Sequence, residues 1–414
     1  MEWRVNLWRI VGVVALLNAC AASKDEPTGS DQPVVIAGDP FDVPVDGVNR
    51  EQVRAFDEGD ALFGLQLREY DGLGPLYTRT SCGACHQEGA RGPGFVQKMT
   101  VVEADGVTAA ADQSKLPFGH TVHPLLAAGA MTPVLPPPGD PAIKVTTRVG
   151  PSVLGRGYME AIADSEIERV AREQSAREDG IHGRINVTTY ASEPNPDVTF
   201  HQHQRGDAVI GRFGVKARVA TLDEFTADAL QGDMGITSPL RPTELPNPDG
   251  LADDRKPGVD VTIDSVNARA NYLRLIAIPR RPKPSAEQEE LFARAQCSAC
   301  HAPHMATRAD YPIALLAGVD APVFTDLLLH DMGTALADGM ENTDGSARSR
   351  DWRTAPLIGL RFNTAFMHDG RALTLEDAVL AHDGEGSEAA GSVAIFRQLS
   401  PTERETLLAY VGSL

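Results

Sequence analysis

Positive charge is in short supply in this chain. Lys and Arg number 38 against 57 Asp and Glu, a formal net charge of -19. Nucleic-acid binding needs clustered Lys and Arg against phosphate, so that class of partner is excluded. An acidic surface instead keeps a chain soluble, or steers a basic redox partner to it. Aromatic residues make up only 6%, with three Trp. The one sustained apolar run, Ile10 to Leu17, is too short to span a bilayer, so no transmembrane helix is expected. Cysteine is rarer still, with five residues in 414. Their spacing leaves none for a disulfide.

Four of the five cysteines form Cys82-Gly83-Ala84-Cys85-His86 and Cys297-Ser298-Ala299-Cys300-His301. In C-x-x-C-H the two thiols add to the haem vinyl groups as thioethers, and the adjacent His becomes the proximal iron ligand. A zinc ribbon would place its second Cys pair about 15–20 residues from the first. Here the pairs end at 85 and begin at 297. Cys82, Cys85, Cys297 and Cys300 therefore read as the attachment points of two covalent haems c, with His86 and His301 on the irons. The fifth cysteine ends Leu17-Asn18-Ala19-Cys20, behind Arg4, Arg9 and the apolar run. That pattern is similar to a bacterial lipobox, in which the Cys is lipidated after cleavage. Residues 1–19 then read as a signal peptide and 20–47, rich in Pro, Gly, Asp and Ser, as a flexible tether. The expected place is the periplasmic face, held to the membrane by lipid on Cys20, at the outer membrane if the cell is Gram-negative.

Helix signals dominate the rest of the chain. Apolar periodicity predicts a helix from about Arg50 to Leu67, broken at Asp71-Gly-Leu-Gly-Pro75. Ser165 to Arg177 and Ser265 to Ile278 read as helices, 183–214 as strands and loops. Ser285 with Gln288, Thr374 with Asp377, and Ser400-Pro401 with Glu403 are three helix starts. The expected fold is mainly α: two cytochrome c-like haem domains with long loops, and a β or irregular insertion in the N-terminal half. The domains are placed at 48–278 and 279–414, divided at the Pro-rich stretch Pro279–Pro284. A short echo supports duplication. Arg148-x-x-Pro151-x-x-x-Gly155 follows the first haem motif, and Arg353-x-x-Pro356-x-x-Gly359 follows the second. Each is followed by a Met and a polar residue, Met159-Glu160 and Met367-His368.

The sixth iron position decides the chemistry. A Met there makes an electron-transfer site, and an open position makes a reactive one. Behind His301 the candidates are His330, Met332, Met367, His368 and His382. Behind His86 they are Met99, His120, His123 and Met159, and none stands out, which fits an open iron. Cleaving a peroxide also needs a pocket acid or base. Glu160, at the echo position of His368, is the candidate. His201 and His203 read as surface loop residues.

The runs Asp71-Gly-Leu-Gly-Pro-Leu-Tyr77, Ser81-Cys-Gly-Ala-Cys-His86, Gly211-Arg-Phe-Gly-Val-Lys-Ala217 and Phe324-Thr-Asp-Leu-Leu-Leu-His-Asp-Met-Gly333 resemble the bacterial di-haem oxidoreductase (putative peroxidase) family. So do Trp352-Arg-Thr-Ala-Pro-Leu-Ile-Gly359, His368-Asp-Gly-Arg-Ala372 and the closing Leu399 to Leu414. More distantly that family is similar to di-haem cytochrome c peroxidases. The resemblance implies one haem that reacts with peroxide or another small oxidant and one that relays electrons from a partner such as a cytochrome or a cupredoxin. It points to Met367 as distal ligand of the second haem, with Met332 as the alternative. It departs in one place: the peroxidases carry a Trp after the first haem, and here the only Trp beyond the leader is Trp352. The competing expectation is a di-haem electron carrier with both irons six-coordinate.

Overall fold

The computed structural model describes residues 42–251, 257–341 and 345–414. The signal peptide expected over 1–19, the lipidation site Cys20 and the tether as far as residue 41 lie outside the described residues. Among those described are nine α-helices: α1 Arg50–Gly64, α2 Arg156–Ala161, α3 Asp164–Ser175, α4 Leu222–Met234, α5 Ile263–Leu275, α6 Ala286–Arg294, α7 Leu375–Leu380, α8 Ala390–Gln398 and α9 Pro401–Ser413. The sheets are all two-stranded. The longest pairs Phe95–Val101 with Ile143–Val149 in antiparallel register, Phe95 opposite Val149 and Met99 opposite Val145. A second pairs Leu329–Asp331 with Asp351–Arg353. The mainly α expectation is met only in part: helices are the main regular elements, but much of the chain is irregular and small β pairs occur in both halves, and no helix among the described residues is long and apolar enough to cross a membrane.

Local sequence explains most boundaries. Asn49 caps α1 by accepting from the Glu51 and Gln52 amides, and the Gln52 side chain returns a bond to the Asn49 amide. The helix stops at Gly64, three residues before the expected end. Ser285 with Gln288 and Ser400 with Glu403 form the capping boxes the sequence foretells, and Pro401 occupies the first turn of α9. Thr374 caps α7 through the Asp377 amide, and α7 ends at Leu380.

The main core joins α1, α2 and α5 with residues 305–328. It contains Phe56, Phe63, Tyr158, Met159, Ile162, Tyr272, Leu275, Tyr311, Leu316, Leu327 and Ile358. A Cβ on Gly59 would lie 2.3 Å from the Ala268 carbonyl and 2.6 Å from Tyr272 Cβ, so α1 and α5 approach as closely as they do only because residue 59 has no side chain. Chain from beyond Pro284 thus completes the core built by the first half. A second core gathers α6, α8 and α9 around Phe292, Phe324, Phe396, Leu407 and Tyr410, with Cys297 and Leu375, Val379 and Leu380 of α7 packed against it. Phe292 meets Tyr410 and Phe324 edge-on, at 5.5 and 6.0 Å between centroids.

Candidate functional site

The two C-x-x-C-H loops have the same local form. His86 and His301 each donate a backbone N–H to the first Cys carbonyl, Cys82 or Cys297, at 2.9 Å. One turn of backbone thereby closes each motif, and in the first loop Cys82, Cys85 and His86 line one cavity. The first loop rests on the end of α1, where Gly83 donates to the Phe63 carbonyl at 3.2 Å. Its other side is closed by backbone: a Cβ on Gly94 would lie 2.6 Å from Cys85 Sγ and from the Ala84 carbonyl. The second loop follows directly from α6, with Gln296 in the left-handed region at φ 60 to turn the chain.

The imidazoles are held alike. His86 Nδ1 lies 2.6 Å from the Pro151 carbonyl, and His301 Nδ1 lies 3.3 Å from the Phe324 carbonyl. A carbonyl can only accept, so Nδ1 carries the proton and Nε2 keeps its lone pair for a metal. Burial pushes both rings down to about 4, so neither is protonated at neutral pH. The thiols are also neutral: burial raises Cys85 to about 11 and Cys297 to about 12.

Beside Cys82, Cys85 and His86 lies a cavity whose empty space, counted out to its mouth, is about 840 Å³. One wall is a stripe of α4, Leu222, Phe225, Thr226, Ala229 and Asp233, at helical spacing. Met234 completes it, and Arg269 and Leu273 of α5 form a second wall. Three more guanidiniums line it, Arg79, Arg156 and Arg353, and the last two have no carboxylate at ion-pair distance among the described residues. Arg156 donates to the Ser152 carbonyl, and Arg353 donates to Gly214 and Thr354 carbonyls at 2.9 and 2.8 Å. Burial, then the charge of Arg353, brings Arg156 down to about 9; burial brings Arg353 down to about 10. Two adjacent buried cations without an ion-pair partner, in a cavity floored by two thiols and a ligand-ready imidazole, fit a haem, whose propionates would supply anions to them.

The sequence does not single out Asp233. It lines the cavity, and burial raises its carboxyl above the ordinary range. Glu160 requires a correction. It does not line the cavity. Its oxygens accept from Arg274 Nε at 2.7 Å, Tyr311 Oη at 2.7 Å and the Leu222 amide at 2.8 Å. Burial pushes the carboxyl up, but Arg274 more than offsets this and holds it below its ordinary value. Glu160 is a buried structural anion that ties α2 to α4, α5 and Tyr311. His201 likewise is not a surface residue: its Nε2 lies 2.9 Å from Asp223 and its side chain is 7% exposed.

The candidate sixth ligands are scattered. Met99 and Met159 sit in cores, and His123 Nε2 lies 2.7 Å from the Gly232 carbonyl. Met367 has φ 65, and its carbonyl accepts from Arg91, five positions past His86. Met332 donates its amide to the Arg350 carbonyl at 2.9 Å and bridges to Ser387. His330 is bound through both nitrogens, Nδ1 to Glu388 at 2.7 Å and Nε2 to Asp326 at 2.9 Å. Both partners are carboxylates, which accept, so both ring nitrogens donate and neither is free as a ligand; Asp326 raises the ring well above its usual value against burial. Cys300, Asp326 and His330 stand close enough to hold a metal ion. With His330 already committed to two carboxylates and Cys300 in the haem motif, the group reads as a support under the second loop. His368 stacks on Trp352, with 3.7 Å between centroids and 18° between planes. The echo is half kept: Pro151 receives the His86 proton, but the Phe324 carbonyl, not that of Pro356, receives that of His301. Arg353, from the second half, reaches the cavity of the first loop, while Arg148 pairs with Asp338 at 2.9 Å.

A family model described as "Di-haem oxidoreductase, putative peroxidase" matches residues 140–414, a span that holds the second loop and leaves the first outside it. No curated protein matches. A solved structure described as Kuenenia stuttgartiensis hydrazine synthase pressurized with 20 bar xenon is similar at 13% identity and a TM-score of 0.37, over 99% of this chain and 100% of that one. A likeness that slight carries no argument about fold or activity.

Proposed function

This chain belongs to the di-haem oxidoreductase family, and we propose that it is an exported, lipid-anchored c-type cytochrome of peroxidase type. The haem held by Cys82, Cys85 and His86 is the reactive one, and the haem held by Cys297, Cys300 and His301 stores and delivers electrons. The observation that carries this reading is the first cavity, lined by ligand-ready His86, by two buried guanidiniums without an ion-pair partner among the described residues, and by the Asp233 carboxyl, which burial raises above its ordinary range. The bound haem supplies the redox chemistry. The chain supplies the rest. Pro151 fixes the tautomer and orientation of His86. Arg156 and Arg353 offset propionate charge. Phe63, Phe213, Phe225 and Leu273 keep water away. Asp233 hands a proton to the departing oxygen of a small oxidant such as hydrogen peroxide, and takes one back from solvent. Electrons enter from a cytochrome or a cupredoxin steered by the acidic surface.

The test is peroxide turnover by the doubly haem-loaded chain with a reduced donor protein. Asp233→Asn is expected to slow the peroxide step by about 10²-fold or more at unchanged haem content. Turnover equal to that of the parent would remove Asp233 from the proposal. One observation favours a second reading. Met234 lines the same cavity, and a thioether there could close the iron and leave a pure electron carrier. In that case Met234→Ala would create ligand binding that the parent lacks.

A further inference from the structure

His86 and His301 share a signature: a ring inside the fold, Nδ1 given to a backbone carbonyl, and Nε2 left with its lone pair. His382 carries it too. Its Nδ1 lies 2.7 Å from the Ala378 carbonyl, the last turn of α7, and its Nε2 has no hydrogen-bond partner among the described residues. Burial keeps the ring neutral. The carbonyl of His382 is itself pinned by Ser387 Oγ at 2.7 Å, so the residue is held from both sides. Helix α7, which ends just before it, packs with Leu375, Val379 and Leu380 against the apolar cluster that also receives Cys297. The rivals are each placed otherwise. Met367 stands beside the first loop at Arg91, Met332 is built into the Arg350–Ser387 turn, His330 is bound at both nitrogens, and His368 is stacked on Trp352.

We propose that His382 Nε2 is the second axial ligand of the iron carried by His301. The inference rests on the reading that the Cys297–His301 loop holds a haem, and it goes beyond it by naming the coordination. Two imidazoles lack the thioether that raises the potential of His–Met haems. The second haem would then sit at a lower potential than a His–Met haem in the same place.

The experiment uses the full chain with both haems, counted by intact mass. Near-infrared magnetic circular dichroism and visible absorption of the oxidised protein separate bis-imidazole from imidazole–thioether coordination. The parent is expected to show the bis-imidazole signature, and Met367→Ala and Met332→Ala to leave it unchanged. In His382→Gly one haem becomes high-spin, and carbon monoxide binding rises from about one haem per chain to about two; added imidazole restores the parent spectrum. A thioether–iron band in the parent that vanishes in Met367→Ala or Met332→Ala would overturn the proposal. So would a His382→Gly spectrum identical to the parent with both haems present. Should His382→Gly fail to accumulate, His382→Met decides the matter, because the thioether–iron band should then appear with a raised potential. A parent chain carrying only one haem, at the first loop, would fell the premise and the inference together, and intact mass tells that failure apart from the others.

Discussion

Glu160 gives the sharpest contrast between a residue that reacts and a residue that holds the fold. Its side chain is 6% exposed and Arg274's is 2%, and Tyr311 and the Leu222 amide fill the remaining lone pairs. Removing one member of a buried ion pair costs about 3–5 kcal/mol, because the other charge is stranded. In Glu160→Gln, Arg274 keeps Asp223 at 3.4 Å, so the loss belongs at the low end, about 3 kcal/mol. Tyr311→Phe removes one bond to a charged group, about 1.5 kcal/mol. The two changes act on one carboxylate, so the double variant should lose less than their sum. The pH dependence has a definite sign. The folded carboxyl lies below its ordinary 4.5. Its stabilisation is therefore complete above about 4.5 and fades as pH falls through the folded value. Glu160→Gln should abolish that part of the acid sensitivity. The assay is denaturant unfolding of the haem-loaded chain followed by far-ultraviolet circular dichroism, beside peroxide turnover. A variant with the parent's midpoint and no turnover would refute the reasoning and return Glu160 to an acid/base role.

Gly59→Val places a side chain where the Ala268 carbonyl stands 2.3 Å away, and overpacking at α1 and α5 should cost about 3 kcal/mol in the same unfolding assay. Arg353→Met removes a buried cation that the haem-free cavity holds at a cost: a drop from 12.5 to about 10 in its pKa corresponds to about 3 kcal/mol. The haem-free variant should thus melt higher than the haem-free parent, while the first haem of the loaded variant should show a lower potential, because a positive charge near it is lost. His330→Gln strands Asp326 and Glu388 beneath the second loop and should lower stability by about 3 kcal/mol, leaving both haems attached when counted by mass.

The common form of the two loops was legible because the spacing that sets it is local, and the caps at Ser285, Thr374 and Ser400 because capping is local as well. The walls of the first cavity were not. Helix α4 has start and stop signals in Thr221 with Glu224 and in Gly235, yet it escapes a periodicity reading. It is buried on several sides and carries the buried charges Asp223 and Glu224 where a solvent face would be expected. Asp233 and Met234 escape with it. Glu160 is misleading in sequence because its partners, Arg274 and Tyr311, lie more than a hundred residues downstream. The echo placed Arg148 and Arg353 in matching positions of sequence but could not show that Arg353 serves the cavity of the other half.

The central claim is that two haems are attached and that only the one at His86 is open. Carbon monoxide titration of the fully reduced chain, scaled to total haem and repeated on Met234→Ala, tests it most directly. The account predicts binding at about one haem in two in the parent, unchanged in Met234→Ala and lost when Cys82 and Cys85 are replaced so that the first haem is absent. Binding at neither haem in the parent would contradict it and leave a di-haem electron carrier.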